Sequence, residues 1–154
     1  MMIIDQKAID ARNHLNATAD RFEPELQSLM ADFLGKKVWR ISGYGGMTAA
    51  IAKRIDAIEL PEGYRLIITS PVGWITAELT YRYDRGDGCV NHIKESFQIA
   101  RRDDDGVMTE TDSLAYPAGR PQFTLAQVET TKARAWELES QARDLRRSIA
   151  CFSR

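Results

Sequence analysis

Histidine and cysteine are scarce in this chain, with two of each: His14 and His92, Cys89 and Cys151. Cys89 and His92 supply at most half of a closed tetrahedral zinc site, which takes four ligands, so no metal is expected. The two cysteines are far apart in sequence, as suits reduced thiols rather than the disulfide framework of a small secreted domain. Long hydrophobic runs are missing too: no stretch approaches the roughly 18 apolar residues of a membrane span. The opening MMIIDQKAID has no basic region followed by a long apolar stretch, so no secretory signal is read, and a cytoplasmic protein without membrane contact is expected. The net charge of -1 leaves no overall basic field of the kind that holds nucleic acid.

What is present describes one globular domain over residues 1–154, with 44% hydrophobic and 28% charged residues. At the start, Ile4, Ala8, Ala11, Leu15, Phe22, Leu26, Leu29 and Phe33 fall at steps of three and four, with Thr18 or Ala19 bridging the one gap, the stripe of an amphipathic helix over residues 1–35. Pro24 removes a backbone donor and crowds the preceding turn, which predicts a kink or break near Arg21 to Glu23; Gly35 is placed to cap the end. Near the other end, Thr124 and Gln127 match a capping box, so a second long helix starts at Leu125. Within it Val128, Thr131, Ala135, Leu138, Ala142, Leu145, Ile149 and Phe152 repeat the three-four spacing of a heptad seam. Residues 1–35 carry six acids against three bases, and residues 125–154 four acids against six bases. Matched length and opposite charge predict that the two helices pair antiparallel.

The middle, residues 36–123, reads as mainly β. Lys37 to Ile41 is a short strand candidate, and Met47, Ile51, Ile55 and Ile58 mark a short helix ended by Pro61. Ile75, Ala77, Leu79, Tyr81 and Tyr83 then alternate with Thr76, Glu78, Thr80 and Arg82, a strand with one wet face. Turn chemistry at SPVG, DRGDG and DDDG links Arg65–Thr69, Trp74–Tyr83, Val90–Arg101 and Val107–Asp112 into an antiparallel meander of four or five strands. Val90, Ile93, Phe97 and Ala100 also fit a helical spacing, so residues 90–100 are open to either assignment. The predicted class is therefore α+β: two long terminal helices flanking a central meander, with one short helix.

Few motifs carry chemistry. ISGYGGMTAA offers Gly43, Gly45 and Gly46 before a helix, with Lys53 nearby, which could cradle an anion or nucleotide on backbone amides. The loop lacks both the Gly-Lys-Ser/Thr of a Walker motif and the third glycine of G-x-G-x-x-G, since Thr48 stands there. Asp103, Asp104 and Asp105 lack the alternating ligands of a calcium loop, and no G-x-S-x-G elbow occurs. Arg65, Arg82, Arg85, Arg101 and Arg102, interleaved with Tyr81 and Tyr83, could combine charge with stacking in a nucleic-acid-binding sheet face, although both tyrosines share the apolar parity of Leu79.

Without a catalytic motif or a cofactor signature, the sequence favours a non-catalytic protein-interaction module. Trp39, Tyr44, Trp74 and Tyr116 lie at segment edges, where large aromatics serve as contact residues. Trp136 sits beside the heptad seam, so it either packs beneath the sheet, its expected role, or faces a partner. The seam of the second helix could also join two copies. A small chain of near-neutral charge with these properties suits an adaptor or assembly subunit, or a phage or mobile-element inhibitor of a host nucleic-acid or defence complex.

Overall fold

A computed structural model describes residues 5–37, 46–69, 74–111 and 114–152, with the backbone alone at 46–49 and 151. Helix α1 spans Gln6–Met30, followed by a single 3-10 turn, Ala31–Phe33. Helix α2 spans Gly46–Asp56. Strands β1 (Tyr64–Thr69), β2 (Trp74–Asp84), β3 (Val90–Arg102) and β4 (Met108–Thr109) form a four-stranded antiparallel meander in chain order. Helix α3 spans Leu125–Ile149, with a 3-10 turn at Ala150–Phe152. The α+β class, the two long terminal helices and the meander are those expected. Lys37 bridges to Val107; the rest of the strand expected there lies outside the described residues.

One core holds the fold. The stripe of α1 places Leu15, Ala19, Phe22, Leu26 and Met30 on the sheet, where they meet Ile75, Ala77, Leu79, Phe97 and Ile99; α2 adds Ile51 and Ile55. Each of the larger of these side chains, alanines apart, contributes about 1.5–3 kcal/mol by leaving water. The alternation along β2 sends Ile75, Ala77, Leu79 and Tyr83 into this core. The opposite face of the sheet, with Arg65, Arg82, His92, Lys94 and Ser96, is exposed.

A bulge resolves the double reading of residues 90–100. Thr76 pairs with Gln98 but Ile75 pairs with Ala100, so Ile99 has no partner across the ladder. The extra residue lets the consecutive Ile99 and Ala100 both be buried. That phase change spoils the period of two.

Three expectations are corrected. Helix α1 runs through Pro24 without a break; buried Phe22 and Leu26 on either side anchor both halves to the sheet. Gly35, at φ +80°, sits beyond the 3-10 turn, and its N–H donates to Met108 O at 2.8 Å, so it ties the chain to β4 instead of capping α1. The antiparallel pairing of the long helices does not form either. The stripe of α1 is spent on the sheet, and α3 has no buried residue.

Candidate interaction surfaces

Helix α3 forms for local reasons. Thr124 caps it with the full box: its hydroxyl accepts from Gln127 N at 3.2 Å, and the Gln127 side chain accepts from Thr124 N at 3.0 Å. Its body is rich in Ala, Leu, Glu and Arg and contains neither Gly nor Pro. Arg134 pairs with Glu137 at 3.0 Å along the surface. The seam is bare: Leu138 is 48% exposed, Leu145 66%, Ile149 57% and Phe152 83%. Trp136, expected to pack beneath the sheet, is 60% exposed because α3 does not lie on the sheet.

The root of α3 is fixed, by contrast. Asn13 of α1 donates to Phe123 O at 2.8 Å and accepts from Phe123 N at 2.7 Å, while Asn16 donates to Pro121 O at 2.9 Å. Beside them Arg120 is buried among carboxylates. Its Nη1 meets Asp20 at 2.9 Å, its Nη2 meets Glu23 at 2.6 Å, and its Nε lies 3.7 Å from Glu95. Burial alone would lower the pKa of Arg120, but hydrogen bonds to Glu23 and Asp20 and the charges of Glu23 and Glu95 raise it on balance. Its guanidinium also lies over the rings of Phe97 and Tyr116, at 5.4 and 4.9 Å. Sequence reasoning missed this cluster. Its one available signal was Glu23, an acid placed between the apolar stripe positions Phe22 and Leu26. An open crevice of about 540 Å³ follows at the root, lined by Pro121, Phe123, Val128 and Thr131 among others.

A second cleft, of about 760 Å³, opens between α1 and β2. Lys7, Asp10 and His14 line one side, and Glu62, Tyr81, Arg82 and Asp84 the other. Acids and bases offset one another, so the cleft has no field of one sign. At its back His14, Tyr81 and Tyr64 stack, with ring centroids 5.1 and 4.5 Å apart. Tyr64 Oη lies 2.5 Å from His14 Nδ1. Burial pushes the Tyr64 phenol up to about 12, with Tyr81 adding to the rise and Thr18 opposing it. The phenol is thus protonated at neutral pH and can donate to Nδ1, but it is no general base there. Among the described residues no group of three or more His, Cys, Asp or Glu could hold a metal.

The residues singled out from sequence are dispersed. Trp39, Tyr44, Gly43 and Gly45 lie outside the described residues; Gly46 opens α2, and Lys53 is exposed in its last turn. Trp74 is half-buried and Tyr116 is exposed, and each has an arginine over its ring, Arg101 at 4.5 Å and Arg120 at 4.9 Å. Arg85, in the β2–β3 turn, pairs with Asp87 at 3.4 Å, and Arg102 is half-buried near the end of β3. The mixed arginine and tyrosine face is corrected: strand alternation puts Arg65 and Arg82 on the exposed side of the sheet and Tyr83 in the core. Trp74 and Arg101 share the side of Arg82, since Trp74 pairs with Arg101 and precedes the buried Ile75.

No protein-family model, curated protein or solved structure matches this chain. No helix among the described residues is long and apolar enough to cross a membrane.

Proposed function

We propose that the protein is a non-catalytic protein-interaction module whose contact element is the seam of α3. One observation carries this reading: a capped 25-residue helix keeps a heptad repeat along its length and buries none of it. Most helices in proteins draw their stability from packing an apolar face, and a contiguous row of exposed large apolar side chains marks a surface that meets another protein. The partner surface that fits such a seam is a second apolar helix, docked knobs into holes. The test compares the wild type with Leu138→Glu/Leu145→Glu by light scattering and by capture of proteins from source cells. Every association should be lost in the variant while the sheet stays folded by circular dichroism. Identical behaviour of the two proteins in all associations would remove the reading.

A second reading has its own support. Arg65, Arg82, Lys94 and Arg101 emerge with Trp74 on the exposed face of the sheet, offset by Glu78. Charge beside an aromatic suits single-stranded nucleic acid. Binding of a mixed-sequence oligonucleotide should then weaken steeply with salt and fail in Arg65→Ala/Arg82→Ala. Salt-independent behaviour, or no binding at low salt, would eliminate it.

A further inference from the structure

We infer that the occupant of the α3 seam is the α3 of a second copy of this chain, running antiparallel in one defined register. The inference rests on the reading of α3 as the interaction element and adds the partner and its geometry.

Three independent complementarities select the register. The first is size. Aligning the helices head to tail about a point between Trp136 and Glu137 sets Val128 against Leu145 of the second copy, Thr131 against Ala142, and Ala135 against Leu138. Ala135 then faces Leu138 and Val128 faces Leu145, as close packing of core layers requires, and only the Thr131–Ala142 layers are thin. A parallel, in-register pair would put Ala135 on Ala135 and Ala142 on Ala142, leaving two thin layers beside thick ones at Leu138 and Leu145, and would align the two helix dipoles.

The second is charge. The same alignment sets Lys132 of each copy beside Glu139 of the other, on the flank next to the seam. Sliding by one heptad in one direction brings Glu139 onto Glu139 and Lys132 onto Arg146; sliding in the other brings Lys132 onto Lys132. Only the central register is free of these clashes. A parallel pair would offer Arg134 to Glu139 instead, but Arg134 is already held by Glu137 at 3.0 Å within its own helix.

The third is shape at the ends. In this register Ile149 and Phe152 of one copy come level with Thr124 and Pro121 of the other. Phe152, the most exposed large apolar side chain among the described residues at 83%, thereby reaches the crevice of about 540 Å³ lined by Pro121, Phe123 and Val128.

The experiment uses the full-length protein. Sedimentation velocity over a range of concentrations should show a dimer. Leu138→Glu/Leu145→Glu should weaken it by about 100-fold or more by burying a charge in each of four layers, with the circular dichroism of the sheet retained. Lys132→Glu should weaken it about tenfold, and adding Glu139→Lys should restore it, since the swap exchanges two symmetric ion pairs. Register is read by cross-linking in a Cys89→Ser/Cys151→Ser background. Val128→Cys and Leu145→Cys proteins should form disulfide dimers when mixed and not when oxidised alone. Cross-linking of either alone indicates a parallel pair and overturns the inference. A monomer at all concentrations also overturns it; if seam variants still lose another protein partner, the interaction reading of α3 survives, and if they do not, both fall.

Discussion

Arg120 Nη2 and Glu23 Oε1 lie 2.6 Å apart, and both side chains are 2% exposed. A buried pair of this kind adds little over an apolar replacement of both partners, yet it is costly to break on one side. Arg120→Ala is therefore expected to cost about 3–5 kcal/mol by stranding Glu23 inside the protein. Glu23→Leu/Arg120→Met should recover part of the loss, the remainder reflecting Asp20 and Glu95, which also face Arg120, and the Ala115 N–H, which donates to Glu23 Oε2 at 2.7 Å. Urea unfolding midpoints of the singles and the double provide the check; singles within 1 kcal/mol of the wild type would contradict the geometry.

The clamp between Asn13 and Phe123 fixes where α3 leaves the body. Asn13→Ala removes both of its hydrogen bonds and should cost about 1–2 kcal/mol. Asn13→Asp keeps the acceptor for Phe123 N but sets a carboxylate oxygen against Phe123 O in place of the donor, so it should cost at least as much. Hydrogen exchange at the Phe123 amide should accelerate in the alanine variant most of all.

The phenol of Tyr64 sets a limit at alkaline pH. Its pKa rises from an ordinary 10.0 to about 12 in the folded protein, chiefly through burial. A folded pKa above the unfolded one means that its contribution is complete below pH 10 and is lost as pH rises through 12. Stability measured across that window should fall, and Tyr64→Phe should flatten the fall, losing the contact with His14 at all pH values. An unchanged slope in the variant would assign the alkaline limit to another group.

Gly63 and Gly88 share left-handed backbone, at φ +86° and +82°, but differ in surroundings. A Cβ at Gly63 would come 2.9 Å from Arg82 O, whereas nothing lies within 4 Å of one at Gly88. Gly88→Ala should cost about 1 kcal/mol of backbone strain, and Gly63→Ala clearly more, because β2 must also shift. Equal thermal midpoints would show that the β1 entry yields more readily than the structure implies.

Because α3 buries nothing within its own chain, its cap acts locally. Thr124→Ala should weaken the helix by about 1 kcal/mol. That loss should appear as faster exchange of α3 amides, with the urea midpoint of the sheet core unchanged. A lowered midpoint would mean that α3 folds together with the body.

The helices were legible because their signals are local. The capping box of Thr124 and Gln127 marks the start of α3 to the residue, and the three-four stripe through Leu15, Phe22 and Leu26 marks the buried side of α1. The hairpin of β1 and β2 was legible from the alternation around Leu79. What periodicity could not say is which apolar surface each stripe would meet. The stripe of α1 and the seam of α3 look alike in sequence, yet the sheet takes only the first. Arg120 was hidden for a related reason: its partners Asp20, Glu23 and Glu95 lie far away in sequence, and no local pattern joins them. The cleft around His14 likewise depends on β2 bringing Tyr81 beside it and on β1 presenting Tyr64.

A clamped root and a free shaft also define a distance. At 1.5 Å per residue the 25 residues of α3 extend about 37 Å, and Asn13 holds only the beginning. In a head-to-tail pair the two sheet bodies would stand at opposite ends of a shared rod, like the weights of a dumbbell. Their clefts would be held too far apart for one small molecule to bridge them. The length of the repeat between Val128 and Phe152 would then serve as a spacer, and removing a whole heptad would shorten the particle by about 10 Å without changing either body.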